Sequence, residues 1–359
     1  MIRLAYRTLS ALALSSALVL AATPSALADP PQPIPVPPPA ATDIVGVGAQ
    51  VTESLFNQLS TDYNASLTAA GNTTSPRLYS WDSVGANLIT PKAGSSPLVR
   101  PMFSSAGITA VNATTSSTVD FARSTRGPSV NDPASTLFVN LAKDAVSWAA
   151  PTGGHAPNSL TAAQLRGIYE CHTTNWRQID SALPDAPIKP ALPIYNYEHI
   201  TDAASMFLAG IQQTSGPSYV RIGDCVTLIR EENSGTGAFL HDPDVVVPYS
   251  VGRYIGQTYG GHATPTDNPG ALVPRAIGGV PVVNPSSHTL HATFAASYFA
   301  YRLRVALREA EWNAGDAHAR ALREIFSPNG WICWSGASRI RSHGFLALPP
   351  GACGSTEHS

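Results

Sequence analysis

From Asp43 to Phe326, short apolar runs alternate with segments whose apolar residues recur at helical spacing, and turn residues separate the two. This alternation restricts the fold more than any other feature of the chain. A strand that returns parallel to its predecessor needs a crossover, usually a helix, so the pattern implies an α/β architecture with mostly parallel sheets. Asp43–Gly48 reads as a strand entering a glycine turn, and Leu55, Phe56, Leu59 and Tyr63 then mark a helix over Thr52–Tyr63. Arg77–Trp81 and Thr136–Val146 read as further strands. Thr161 and Gln164 form a capping box, with Leu165, Ile168 and Tyr169 on one face of the helix that it opens. Strands are expected at Ile194–Tyr197, Val226–Glu231 and Val245–Val247, and helices at Asp202–Ile211, Val251–Gln257 and Ala317–Phe326. The longest helix is predicted over Phe294–Trp312.

The chain of 359 residues opens with Arg3 and Arg7, an apolar run from Ala11 to Ala22, and Ala26-Leu27-Ala28. That is the pattern of an export signal cleaved after Ala28, so residues 1–28 are read as a leader and the product as secreted or cell-wall associated. The run is short for a membrane span and no later segment offers one. Residues 29–41 hold a proline-rich spacer that cannot pack as helix or sheet. Without Arg3 and Arg7, 20 basic residues face 24 acidic ones, a net charge of −4. A mildly acidic chain has no nucleic-acid footprint. The four cysteines are expected to pair in an oxidising compartment, and their spacing leaves three connectivities open. Asn64, Asn72 and Asn112 match the glycosylation triplet.

Three strand-to-helix turns can present N–H groups at the carboxyl ends of strands, where ligands of open α/β sheets sit. They are Gly48–Thr52, Asp82–Gly85 and Arg123–Arg126. The third lies in Val119–Pro128, where Arg123, Ser124, Thr125 and Arg126 place two guanidinium forks and two hydroxyls within four residues. Such groups suit an oxyanion.

In this order the motifs resemble the phosphate-binding solute receptors of ABC importers (PstS-like), in the type 2 periplasmic-binding-protein superfamily. Val45–Ala49 looks like the opening glycine turn of that family, and Val119–Ala122 like its Val-Asp-Phe segment. Leu165, Ile168 and Tyr169, followed by Asn175-Trp176, are similar to its Leu-x-x-Ile-Tyr…Trp signature. Cys333, Gly344-Phe345, Leu348-Pro349 and Cys353-Gly354 look like the ending of secreted actinobacterial-type members. The resemblance implies two α/β lobes joined by two crossover strands, with the ligand held between them. Lobe one would comprise 42–145 and 280–359, lobe two 146–279. Pairing within lobes then favours Cys171–Cys225 and Cys333–Cys353.

Carried over by position, the resemblance places ligand contacts at Gln50 and Val51, at Ser83, and at Ser124 to Arg126, with Arg123 beside them. Where the family has an aspartate that accepts a phosphate proton, Arg126 stands instead, favouring a fully deprotonated oxyanion or a carboxylate. On the opposite wall the Arg-x-Asp-Gly-Ser-Gly-Thr pattern is replaced by Asn196–Asp202. Glu198, His199 and Asp202 there would select a cationic or hydroxyl-bearing end of the ligand. Thr201 and Asp202 also serve as ordinary helix N-caps. Ser234-Gly235-Thr236-Gly237 resembles the missing motif but follows a different strand, and is read as a turn.

The expected function is thus a secreted, non-enzymatic, monomeric solute-binding protein for a small anion such as phosphate or a carboxylate, with an ABC permease as a partner and no cofactor. The second class is a surface or matrix protein that keeps the fold without binding small molecules. A hydrolase is disfavoured: no Gly-x-Ser-x-Gly elbow occurs, His288 and His291 lack the glutamate of a zincin, and no metal site is expected. Glu231 and Glu232 read as a solvated strand end.

Overall fold

The computed structural model describes residues 38–196 and 199–358. The leader, most of the proline-rich spacer and Glu198 lie outside the described residues. The principal strands are β1 (Ile44–Gly48), β2 (Leu78–Ser80), β3 (Phe121–Ser124), β4 (Thr136–Pro151), β5 (Lys189–Asn196), β6 (Thr227–Ile229), β7 (Val245–Ser250) and β8 (Ala300–Arg308). They follow one path, β6-β5-β7-β4-β8-β3-β1-β2.

That path is two half-sheets sharing a long strand. β1 runs parallel to β2 and β3, and β7-β5-β6 are likewise parallel. Between them β4 is almost wholly buried and changes partner midway. Thr136 to Ala145 pair antiparallel with β8, whereas Val146 to Ala149 pair antiparallel with β7. The chain thus crosses from one half-sheet to the other along β4, and β8 lies beside its first part.

The switch is fixed by Asp144. Its carboxylate accepts hydrogen bonds from Ser250 Oγ (2.6 Å), Tyr301 Oη (2.8 Å) and the Gly252 N–H (2.8 Å). Ser250 and Gly252 stand at the start of the helix after β7, and Tyr301 stands on β8. One buried acid therefore ties both long strands to the second half-sheet. Burial pushes its pKa up, and the hydrogen bonds from Ser250, Tyr301 and the backbone oppose that shift.

The principal helices are α1 (Glu53–Ala69), α2 (Ser104–Ala113), α3 (Ala162–Tyr169), α4 (Asp202–Ser215), α5 (Val251–Tyr259), α6 (Glu309–Asn313) and α7 (Ala317–Phe326). The capping box of α3 is present, with Leu165, Ile168 and Tyr169 buried. No helix among the described residues is long and apolar enough to cross a membrane.

The long helix predicted over Phe294–Trp312 does not form. The segment gives a helical turn at Ala292–Ala295, then β8, then α6. Tyr301, Leu303, Val305 and Leu307 are buried, while Arg302 is exposed and Arg304 only partly buried; both pair with Glu357. The period is therefore two from Ala300 to Val305, and Ala306 on the other face is buried as well. Ladder partners on both sides, β3 and β4, override the helix propensity of this Ala-, Leu- and Arg-rich run.

Both disulfides, Cys171–Cys225 and Cys333–Cys353, are formed. The first ties the end of α3 to the segment before β6, and the second closes the C-terminal region. Residues ahead of β8 pack on α4: Phe299 lies against Phe207, and a Cβ on Gly210 would stand 2.5 Å from the Phe299 ring.

Candidate functional site: the cleft between the half-sheets

The carboxyl ends of β1, β2 and β3 face those of β5 and β6, so the turns that follow these strands define a cleft. The first wall depends on close backbone approach. Gly48 ends β1 at φ +107°, and a Cβ on Gly107 of α2 would stand 2.9 Å from the Gly48 Cα. Only glycine at both places lets α2 bring its first residue, Ser104, against the strand ends.

Arg123 organises this wall from beneath. It is fully buried and donates to the carbonyls of Gly48 (2.7 Å), Ala49 (3.1 Å) and Trp81 (2.7 Å), and to Ser80 Oγ. It thus holds the β1 and β2 turns together by their backbone oxygens. Ser124 Oγ donates to the Arg126 carbonyl and accepts from the Arg126 N–H, closing its own turn. Arg126 forks onto Asp132, with both nitrogen–oxygen distances 2.7 Å, and reaches Ser105 Oγ at 3.0 Å. Its hydrogen bond and charge hold the Asp132 pKa below the usual carboxylate range, against the opposing effect of partial burial.

Val51 is buried in the core, while Gln50 lines the cleft. Ser83 gives both its N–H (2.7 Å) and its hydroxyl (2.6 Å) to one oxygen of Glu53. The donors that the sequence offered to an anion on this turn are therefore directed at a carboxylate of the chain itself.

The opposite wall repeats that arrangement. Thr201 caps α4. Glu232 accepts from the Ala203 N–H (3.0 Å) in the first turn of the helix and from Tyr195 Oη (3.3 Å). Asp202 reaches across to α2, accepting from the Ser104 N–H and from Ser104 Oγ, each at 3.0 Å. A carboxylate thus stands at the N-terminus of each facing helix, where unpaired N–H groups and the helix dipole favour negative charge. Withdrawal from water raises the Asp202 pKa to about 6, against the hydrogen bonds from Ser104. Burial, with the neighbouring Asp202 charge second, raises Glu232 to about 7. The two titrate as a coupled pair.

An aromatic seam joins the two walls. Phe103 of the first wall stacks on Tyr195 (5.4 Å between centroids) and on His199 (4.8 Å) of the second. His199 also contacts Asn196 Oδ1 through Nδ1 at 3.0 Å. On the other side Arg253 bridges Ser54 of α1 and Asp267. Beside this bridge lies a cleft of about 380 Å³. Its lining carries the carboxylates of Glu53, Asp82, Glu231, Glu232 and Asp267 and the guanidinium groups of Arg230 and Arg253. Acids outnumber bases at its surface, so a simple inorganic oxyanion meets net repulsion there.

Among the residues expected at the site, Gln50 lines the cleft, His199 belongs to the aromatic seam, and Asp202 joins the two walls through Ser104. Val51, Ser83, Arg123, Ser124 and Arg126 are engaged in shaping the wall behind it. Glu232 corrects the reading of a solvated strand end: it is 5 % exposed and packed on α4. Ser234 and Thr236 do line the cleft, so the Ser-Gly-Thr-Gly turn reaches it although it follows β6 rather than β5. Glu53, Ser104 and Arg253 were not singled out in the sequence. Ser104 carries a local signal, a small polar residue at the start of a helical pattern, but its partner is 98 residues away.

No protein-family model matches the chain, and no curated protein matches its sequence. Solved structures match its fold. An ABC-type phosphate transport receptor from Vibrio cholerae superposes with a TM-score of 0.54 at 14% identity, covering 85% of this chain and 100% of the receptor. A structure described as a candidate phosphate ABC transporter substrate-binding protein with bound phosphate, from Clostridium perfringens, gives 0.55 at 11% identity, covering 86% and 100%. A phosphate-binding protein from Stenotrophomonas maltophilia gives 0.50 at 11% identity, covering 86% and 91%. This chain therefore has the two-lobe α/β fold of these binding proteins.

Proposed function

We propose that this chain, built on the fold of the phosphate-type substrate-binding proteins, is an exported solute-binding protein whose cleft holds a small solute of mixed charge. In this reading residues 42–145 and the chain from β8 onward form one lobe and 146–279 the other, with the segment before β8 packed on the second through Phe299, which lies against Phe207. β4 and β8 serve as the crossover. Binding, rather than catalysis, is the activity, and an ABC permease is the partner for uptake.

The observation that carries the ligand class is the filling of both helix N-termini by Asp202 and Glu232. A phosphate ion would have to displace tethered carboxylates already hydrogen-bonded there. A solute with a carboxylate for Arg230 or Arg253 and an ammonium or hydroxyl group for the acids matches the lining instead. An amino acid or hydroxy acid has that chemistry.

A thermal-shift panel of phosphate, sulfate, simple carboxylates, amino acids and hydroxy acids tests the reading. A ligand at about a hundred times its Kd adds roughly 2.7 kcal/mol, enough to move the melting temperature by several degrees. The expected pattern is a shift with one zwitterion or hydroxy acid and none with phosphate. The Asp202–Ser104 contact, which joins the two walls without any ligand, favours a second reading as a surface scaffold that keeps the fold. Silence across the whole panel would support that reading against the first.

A further inference from the structure

At the amino end of β3, remote from the turn at Ser124, three side chains from distant parts of the chain converge. Asp120 immediately precedes the strand, Glu311 lies on α6, and His318 lies in the first turn of α7. The ligand atoms of the three lie within 4.8 Å of one another. His318 Nε2 stands 3.1 Å from Asp120 Oδ1 and 3.8 Å from Glu311 Oε2.

All three facing atoms are buried and make no hydrogen bond among the described residues. Asp120 is 0 % exposed, so its Oδ1 is an acceptor without a hydrogen bond, aimed into the cluster from the core. Buried polar atoms are normally paired, and an orphan of this kind calls for an explanation. Three lone-pair atoms converging without hydrogen-bond geometry is the arrangement that a cation produces. Two ligands of a tetrahedral zinc with bonds of roughly 2.0–2.1 Å lie about 3.3 Å apart; the His318–Asp120 separation of 3.1 Å is close to that, and Glu311, at 3.8 Å from His318, would have to move inward by a few tenths of an ångström.

The outer oxygens are already held. Asp120 Oδ2 accepts from the Val45 N–H (2.6 Å) and pairs with Lys92 Nζ (2.7 Å). Glu311 Oε1 accepts from the Ser116 N–H (3.2 Å) and pairs with Arg308 Nε (2.8 Å). These contacts orient the ligands and leave the inner lone pairs pointing at one another. Lys92 and Arg308 also offset the two carboxylate charges, which lowers affinity for a dication and disfavours the all-oxygen ions calcium and magnesium. One imidazole with two carboxylates suits zinc.

We infer that Asp120, Glu311 and His318 form a zinc site with water as the fourth ligand, fastening α6 and α7 to the first half-sheet away from the cleft. It revises the sequence-based expectation of no metal, and it does not depend on which solute the cleft binds.

The test uses the full chain, stripped with a chelator and titrated with zinc chloride by calorimetry and with cobalt chloride by absorption. The parent is expected to bind one zinc at least about tenfold more tightly than the His318→Gln or Glu311→Gln variant, and to melt higher when zinc is added. Its cobalt form should show the ligand-field bands of four-coordinate nitrogen and oxygen ligation, and His318→Gln should abolish them. Both variants alter partly exposed residues and should melt with the parent in chelator, which separates ligand loss from misfolding. Equal zinc affinity in parent and His318→Gln, or cobalt bands that survive that substitution, overturns the assignment.

Discussion

Replacing Asp202 by asparagine should stabilise this protein at alkaline pH. The carboxylate is raised from 3.8 to about 6 chiefly by desolvation, and Glu232 from 4.5 to about 7 by burial and by the Asp202 charge. Both folded values exceed the unfolded ones, so the folded state binds protons more tightly. The resulting stability is fully present below about pH 4 and is lost as the pH rises through 6 to 7. A shift of about two units corresponds to roughly 3 kcal/mol, which for a coupled pair is an upper bound on either group. Asparagine keeps an acceptor for Ser104 and removes the charge. At pH 8 the variant should therefore gain about 1–3 kcal/mol, a rise of several degrees in melting temperature. Calorimetric scans from about pH 3 to 8 should show the difference from the parent vanishing at the acid end, below the unfolded-state pKa. A variant that is less stable than the parent at pH 8, with an unchanged pH profile, would refute the reasoning: the ionised Asp202 would then be a net anchor for α2.

His343 should act with the opposite sign. Burial, then the stacked His262 (3.6 Å between centroids) and the nearby arginines, lowers its pKa from 6.5 to about 3. The stability it contributes is present above pH 6.5 and lost on acidification, by at most about 5 kcal/mol; His343→Gln should flatten the acid limb of the melting profile. Arg123→Ala should cost about 3–5 kcal/mol by leaving carbonyls of the β1 and β2 turns unpaired, seen as a lower urea midpoint with unchanged slope. Arg126→Ala, by contrast, breaks a partly exposed pair, should cost no more than about 1 kcal/mol in the same assay, and should leave solute affinity unchanged.

Periodicity made the α/β class legible, because the strands and helices around Ile44–Tyr63, Thr136–Val146 and Ala162–Tyr169 carry strong local patterns. β8 is not legible in this way, because a strand with ladder partners on both edges needs only its long-range pairing, not a high local propensity. The site was legible as a set of turns and not as a set of roles. Arg123 looks the same in sequence whether it meets a ligand or three carbonyls, and 42 to 75 residues separate it from those partners. Glu232 and Ser104 take their meaning from α4 and from Asp202, contacts that exist only once the two walls face each other.

Titration calorimetry with inorganic phosphate at about pH 7.5 tests the central claim most directly, that the chain fills its own oxyanion positions and leaves an acid-rich cleft. The account predicts no binding heat up to millimolar phosphate, a Kd weaker than about 1 mM. Saturable binding of phosphate by the parent chain with a Kd near 1 μM or below would contradict it.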